Sequence, residues 1–155
     1  MSKIFRMTAI AAFAALAASA SMAETMNMDV KASVTGTCKL AAANALDFGA
    51  LDPVAAPAVT GKTTTITYLC TKGKTPAALT INGGSGSTTS SMVHATVVAD
   101  LIPFSLTWST TLPAGLGMGT GKEVTVTVSG DIAAGVYSNL TAGNYSKTLT
   151  VDFTP

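Results

Sequence analysis

The stretch from residue 24 to residue 38, ETMNMDVKASVTGTC, alternates apolar and polar residues with a period of two. Such alternation is typical of a β-strand that buries one face. A chain terminus is an unusual place for so regular a strand, because terminal residues commonly fray. The strand either pairs within its own chain or enters another core. Its apolar positions are Met26, Met28, Val30, Ala32 and Val34.

The rest of the chain is predicted to form short strands separated by turns rich in Gly, Pro, Ser and Asn. The segment 82–91, NGGSGSTTSS, is predicted to be a flexible loop from its composition. No stretch of ten or more residues after residue 23 has a helical period. These features predict an all-β fold, a two-sheet β-sandwich. The predicted strands are 38–40, 46–51, 62–70, 77–81, 92–98, 102–110, 122–132 and 144–153.

The last predicted strand, residues 144–153, has a well-defined apolar face. Only Thr154 and Pro155 follow Phe153. We therefore expect a sandwich with a spare strand at its N-terminus and no strand after its last one. The residues on the shared face are Tyr145, Lys147, Leu149, Val151 and Phe153.

The first 23 residues have the composition of a secretory signal peptide. Lys3 and Arg6 precede an apolar run, and SMA at residues 21–23 provides a small-residue cleavage site. The run is too short for a membrane anchor. Cleavage after Ala23 would leave 132 of the 155 residues, enough for one domain with a real core, and we expect no membrane insertion of this mature chain.

The charge of the mature chain excludes a nucleic-acid or membrane-surface function. Without Lys3 and Arg6, seven of the nine basic residues remain against eight acidic ones, a net charge of −1. The remaining basic residues are all Lys and are dispersed, so they predict neither a nucleic-acid patch nor a polybasic membrane stripe.

The two cysteines, Cys38 and Cys70, are predicted to form one disulfide, because an even pair in an exported protein usually does. Two free thiols are the alternative. A metal site is not expected, since the chain's one histidine, His94, has no partners at zinc-ligand spacing.

No catalytic motif accompanies these features. The sequence has no G-x-S-x-G elbow, and His94 lies in no convincing nucleophilic setting. The glycines of GLGMGTG do not lead from a strand into a helix, so they do not predict a phosphate loop. Trp108 is expected in the core and not on a sugar-binding surface. We therefore predict that the protein is not an enzyme and needs no cofactor.

Several segments in the same order resemble the spore coat protein U domain family, which includes subunits of archaic chaperone–usher pili. The resemblance covers residues 30–153. It departs from the family in the segment TTSSMVHA, which lacks an arginine, and in the two residues after Phe153. The matching segments are GTCKL, LDFGALDP, TTITYLCTKG, GKEVTVTVSGDIAAG and LTAGNYSKTLTVDF.

The resemblance implies an immunoglobulin-like sandwich, residues 37–155, that lacks its last strand and exposes a groove between strands 38–40 and 144–153. Leu149, Val151 and Phe153 would line this groove. A periplasmic chaperone would fill it first. At an outer-membrane usher, the N-terminal extension of the next subunit, residues 24–36, would replace the chaperone's strand.

The implied function is that of a structural subunit in a cell-surface fibre that supports adhesion and biofilm formation. Its partners would be identical or related subunits, the chaperone and the usher. The protein would pass through the periplasm to the extracellular surface. The alternative is a stand-alone secreted coat protein or an adhesive module that binds a carbohydrate or another surface.

Overall fold

The computed structural model describes residues 24–155, and the predicted signal peptide, residues 1–23, lies outside them. Residues 34–155 form a compact unit. The described residues contain nine strands and no helix, and hence no helix that could cross a membrane. The strands are β1 (Cys38–Ala43), β2 (Val59–Cys70), β3 (Ala78–Ile81), β4 (Gly84–Ser85), β5 (Ser87–His94), β6 (Leu101–Trp108), β7 (Val124–Ile132), β8 (Tyr145–Ser146) and β9 (Val151–Thr154).

The strands form two sheets, which confirms the all-β prediction. Six of them make a curled antiparallel sheet in the order β1-β2-β7-β6-β5-β8. The other three make a small sheet in the order β4-β3-β9. Strand β7 illustrates the pattern, because its valines at 124, 126 and 128 are buried while Thr125 and Thr127 are exposed. Alternation of this kind directs one face of each strand to a common core.

The core lies between the inward faces of β2, β3, β6 and β7. Tyr68 and Val128 are almost wholly buried at its centre. Trp108 is buried as predicted, and its indole Nε1–H donates to the carbonyl oxygen of Leu79 at 3.3 Å. This bond links the six-stranded sheet to the three-stranded one, since Trp108 ends β6 and Leu79 lies in β3.

The predicted disulfide between Cys38 and Cys70 is confirmed, with the Sγ atoms 1.97 Å apart. The two cysteines are opposite each other in the β1–β2 ladder. The segment after β6 covers Cys70 closely, because a Cβ at Gly115 would collide with it. Gly117 donates its N–H to the Cys70 carbonyl oxygen at 3.0 Å. The disulfide therefore fixes an edge strand and lies beneath a tightly packed loop.

Removing the disulfide is expected to destabilise the domain substantially. The bond joins residues 32 apart, for which chain-entropy arguments give about 3–4 kcal/mol. The double variant Cys38→Ala/Cys70→Ala should unfold at a correspondingly lower urea concentration. Equal unfolding midpoints for this variant and the oxidised protein would contradict a structural role, and the reduced wild-type chain provides the control for lost side-chain packing.

The prediction of a flexible loop at 82–91 is wrong. Asn82 and Gly83 both have positive φ, 50° and 78°, and form a tight turn between β3 and β4. Residues from Ser87 onward then pair with β6 through the register from Ser87–Thr107 to Val93–Leu101. The Ser and Thr side chains of β5 are tolerated because one face of that strand needs no apolar cover.

The prediction of a strand at 46–51 is also wrong, although its apolar pattern has a physical basis. Phe48 is buried and Leu46 is half-buried against the core. The backbone between them is shaped by a local turn, in which Asp47 Oδ1 accepts the Gly49 N–H at 2.8 Å. Asp52 makes a similar turn with Val54. Side-chain oxygens thus take the backbone donors that a ladder would need.

Two further strand predictions hold only in part. Of the strand predicted at 92–98, only residues 92–94 lie in a strand. They are the end of β5, which starts at Ser87 and ends at His94. The strand predicted at 144–153 is split into β8 and β9. The residues between β8 and β9 find no ladder partner among the described residues.

Candidate partner-binding cleft

A cavity of about 410 Å³ opens into the core between two segments that lie at opposite ends of the chain. We call it the cleft. One wall is residues 43–46, at the end of β1, and the other is residues 145–151. Well-packed protein cores contain few voids larger than a water molecule. An opening of this size is therefore a feature of the architecture and not a packing defect.

The floor of the cleft consists of core side chains from both sheets. Their presence means that the hydrophobic core is only partly covered at this point. Transfer of such apolar surface out of water is worth about 25 cal/mol per Å², so covering the floor with another apolar segment would be favourable. The floor residues are Ile66, Ile81, Met92, Phe104, Leu106 and Val128.

The first wall is held by β2. The Asn44 side-chain Nδ2 donates to Thr65 Oγ1 at 2.9 Å, and its backbone N–H donates to the Thr65 carbonyl oxygen at 3.1 Å. Thr64 Oγ1 donates to the Asn44 carbonyl oxygen at 3.1 Å. Thus Asn44 extends β1 beyond its last ladder pair, Ala43–Ile66. The segment presents its other edge to the cleft.

The second wall is anchored at both ends and unpaired in its middle. Tyr145 and Ser146 pair with β5, and Val151 pairs with Ile81 of β3. The Thr150 carbonyl oxygen accepts the Asn82 N–H at 2.7 Å. Between these anchors, residues 147–149 make no backbone hydrogen bond to any other residue in the described range. Backbone groups of this kind are available to pair with an added strand.

The two walls are the free edges of the curled sheet. Among the strands of residues 24–155, β1 pairs with β2 alone and β8 pairs with β5 alone. Every pairing from β1 to β8 is antiparallel, so these edge strands run in opposite senses. A strand placed between them would be parallel to one edge and antiparallel to the other.

The lining of the second wall alternates with a period of two. Tyr145, Leu149 and Val151 are half-buried and line the cleft. Thr148 and Thr150 are exposed between them. Lys147 also lines the cleft but remains exposed, and it is the one charged side chain in the lining. The lining thus suits an apolar segment better than an ion or a charged ligand.

Two pKa shifts belong to the start of the second wall. Hydrogen bonds from Thr141, together with the charge of His94, hold the pKa of Asp100 below its ordinary value. The Thr141 backbone N–H lies 2.8 Å from Asp100 Oδ2. Desolvation, reinforced by the Asp100 charge, raises the pKa of Tyr145, whose hydroxyl donates to the Thr141 carbonyl oxygen at 2.6 Å. The Asp100 carboxylate and the Tyr145 hydroxyl therefore hold the backbone of Thr141 next to the start of the second wall.

A second depression, of about 480 Å³, lies elsewhere on the six-stranded sheet. Its lining includes Thr60, Thr89 and Asp131. Asp131 Oδ1 already accepts the Gly61 N–H at 2.7 Å, so its carboxylate serves the local backbone. The described residues also contain no group of three metal-ligating side chains. The cleft differs from this depression because it combines an apolar floor with unpaired backbone.

The N-terminal segment, residues 24–37, is exposed to solvent. Residues 24–37 form no strand. The side chains of Met26, Met28, Val30 and Val34 are 83–87% exposed, and Ala32 is exposed as well. Apolar side chains at every second position are thus accessible to water, an arrangement that is unusual for a soluble domain.

The sequence matches the Spore Coat Protein U domain family over residues 24–152. The chain belongs to this family. The match includes the N-terminal segment as well as the folded unit, so both are parts of the same family domain. The family is a structural one, associated with pilus and coat subunits, and the Cys38–Cys70 disulfide indicates an exported protein. No curated protein and no solved structure matches the chain significantly.

The structure brings together part of the predicted site. Leu149 and Val151 line the cleft. Phe153 is half-buried and faces inward, but its ring packs on Tyr68 with centroids 5.1 Å apart, and it is not among the lining residues. The wall at 43–46 was missed, because the sequence pattern there ends at residue 40. The alanines of this stretch gave no periodic signal.

Proposed function

We propose that this protein is a structural subunit of a secreted chaperone–usher pilus and polymerises by inserting its N-terminal strand into the cleft of a neighbouring copy. The folded unit would then be an immunoglobulin-like sandwich without its last strand, and the cleft would be the acceptor groove. The observation that carries the proposal is the cleft itself, where apolar floor and unpaired backbone coincide.

The chemistry of the N-terminal segment supports this occupant. A strand between residues 43–46 and 147–149 could take up backbone hydrogen bonds that the walls leave open. Alternate side chains of that strand would point to the apolar floor, as Met26, Met28, Val30, Ala32 and Val34 can do together. Strand addition of this kind is a common mode of recognition, in which the backbone gives affinity and the side chains give specificity.

The geometry favours a fibre over a closed dimer. The donated segment precedes β1, and the cleft lies between β1 and the end of the chain. Each copy would therefore contribute two different surfaces. Such head-to-tail contacts build open filaments when the rotation between copies does not close a ring.

The proposed partners and the proposed export route follow from the exposed apolar floor of the cleft, which would need to be covered before assembly. A periplasmic chaperone would lend a strand until assembly, and an outer-membrane usher would be the place of exchange. The proposed domain boundaries are a signal peptide at 1–23, a donor extension at 24–36 and the sandwich at 37–155. The fibre would lie on the cell surface and support adhesion and biofilm formation, with no enzymatic activity and no cofactor.

The proposal is tested by adding a synthetic peptide of residues 24–36 to the purified exported chain. We expect the chain alone to form head-to-tail polymers, and excess peptide to cap them as one-to-one complexes seen by native mass spectrometry. A peptide carrying Val30→Asp is the matched control and should not cap. A chain that stays monomeric and binds neither peptide would refute the proposal and favour the stand-alone coat or adhesive module.

A further inference from the structure

Lys147 is the one charged side chain in the lining of the cleft. It shares a face of the second wall with Tyr145, Leu149 and Val151, which are half-buried, whereas Lys147 is exposed. Among residues 24–155 its ammonium group takes part in no salt bridge. A lysine can lay its methylene stem on apolar surface while its charged end stays in water. A strand added beside this wall must therefore leave Lys147 a path to solvent.

The N-terminal segment has one position that would leave this path open. Its apolar face carries four larger side chains and one small one, and the small one is Ala32. Residues directly opposite each other in an antiparallel pair of strands have Cβ atoms about 5 Å apart. A methionine or valine opposite Lys147 would cover the lysine stem and confine the ammonium group to an apolar slot, which is costly. An alanine leaves the stem free.

The lengths of the two faces lead to the same pair of residues. The inward face of residues 145–153 has five odd-numbered positions, and the apolar face of residues 26–34 has five even-numbered ones. In an antiparallel arrangement, full overlap of the two faces places Ala32 opposite Lys147. Full overlap in a parallel arrangement would place Met28 there instead. The antiparallel arrangement thus combines the largest overlap with the small side chain at the lysine.

The neighbouring antiparallel registers are less favourable. Sliding the segment by two residues in one direction would place Val34 opposite Lys147 and Asp29 opposite the carboxylate of Asp152. Like charges directly opposite each other on adjacent strands are destabilising. Sliding it in the other direction would place Val30 opposite Lys147. The register of full overlap has no like charges opposite each other and no large side chain at the lysine.

The two ends of the cleft agree with this direction. One end is closed, because Phe153 packs on Tyr68 beyond the lining of the cleft. The donor segment joins its own folded unit soon after Val34, since β1 begins at Cys38. Val34 must therefore lie away from the closed end of the neighbour's cleft. The antiparallel arrangement meets this requirement by placing Val34 beside Tyr145.

We propose that Lys147 sets the register of the donated strand by admitting only Ala32 of the neighbouring copy opposite it. The lysine stem would pack over the alanine methyl group while the ammonium group stays in water. Lys147 and Ala32 would then determine specificity, since a segment with a large side chain at this position would be rejected. The inference rests on the proposed function, because it concerns which segment the same cleft accepts and in which register.

The pairing is tested by a double-mutant cycle in which purified full chains bind fluorescent peptides of residues 24–36. Every chain also carries Val30→Asp, so that its own segment does not compete for the cleft. We expect the Ala32→Leu peptide to bind the Lys147 chain at least about tenfold more weakly than the wild-type peptide, because leucine would trap the ammonium group. In the Lys147→Ala chain the two peptides should bind within about threefold of each other. Equal losses in both chains, or no loss in either, would overturn the pairing.

The register is tested with two matched peptides, Val30→Leu and Val34→Leu, which enlarge the neighbouring apolar positions. Under the proposal neither position is opposite Lys147, so Lys147→Ala should change the effect of each peptide substitution by no more than about twofold. A larger rescue by Lys147→Ala for Val30→Leu or Val34→Leu than for Ala32→Leu would place a different residue opposite the lysine and overturn the register.

The two proposals fail in distinguishable ways. If the wild-type peptide binds neither chain, the donor-strand function fails. If that peptide binds and the cycle shows no coupling between residues 32 and 147, the function stands and the register proposal fails. Urea unfolding checks the fold of the Lys147→Ala chain. Should that chain not fold, Lys147→Met, which is similar in length and uncharged, takes its place in the cycle with the same expected rescue.

Discussion

Val30→Asp is expected to abolish head-to-tail assembly while the folded unit, residues 34–155, stays intact. Val30 is the central apolar position of the N-terminal segment and is 83% exposed. In the proposed fibre it would lie on the floor of a neighbour's cleft. Placing an unpaired carboxylate in such an apolar slot costs several kcal/mol. Since each 1.4 kcal/mol is about a factor of ten, assembly should fall by well over a hundredfold.

Lys31→Asp provides the matched control, because the same carboxylate is introduced one residue away on the opposite face of the strand. It removes only an exposed ion pair with Asp29 at 3.8 Å, which is worth little. Fibres counted by electron microscopy should be absent for Val30→Asp and normal for Lys31→Asp. Both variants should give the wild-type yield of chaperone complex. Loss of the complex as well would place this strand in the subunit's own core.

The strands with strong alternation could be predicted from sequence alone. The valines of β7 and the Phe104–Trp108 stretch of β6 left one interpretation, because a period of two over five or more residues fixes which face is buried. The disulfide was equally accessible, since two cysteines in an exported chain leave one pairing. Where burial and backbone pairing coincide, pattern and structure agree.

The wrong predictions concern segments in which side-chain burial and backbone strand pairing do not occur together. Residues Leu46 and Phe48 point into the core from a turn stabilised by Asp47, and alternation alone cannot distinguish this from a strand. At 82–91 the prediction of a flexible loop followed the composition of the segment. The dipeptide Asn82–Gly83, which is a strong hairpin signal, was given too little weight. The polar strand β5 then pairs with β6 through backbone hydrogen bonds. A hydropathy pattern carries no information about such bonds.

The cleft could be predicted only in outline. The apolar alternation at 26–34 and the resemblance to the spore coat protein U family predicted a groove, which Leu149, Val151 and Phe153 were expected to line. The opposing wall at 43–46 depends on Asn44, which accepts a hydrogen bond from Thr64 Oγ1 and donates one to Thr65 Oγ1, residues some 20 positions away in the chain. Such pairings are set by the three-dimensional register of β1 and β2, and no local pattern encodes them.

Leu149→Asp is expected to block strand capture from the acceptor side. Leu149 is half-buried, lines the cleft, and lies in the stretch 147–149 whose backbone is unpaired within the described chain. It is a sharper position than Val151, which also supports the subunit's own ladder with Ile81. A carboxylate at 149 would meet the apolar side chains of an incoming strand and would remain unpaired there. Bound peptide 24–36 should fall by more than about a hundredfold.

Thr148→Asp is the control for this change, since Thr148 is exposed and outside the cleft lining. It places the same charge on the same unpaired stretch but directs it to solvent, so peptide binding should be within a factor of about two of wild type. Urea unfolding of both variants separates loss of binding from loss of fold. Equal binding by Leu149→Asp and Thr148→Asp would show that an incoming strand does not lie on this wall. Weak binding that merely follows a lost fold would assign Leu149 to the subunit's own stability instead.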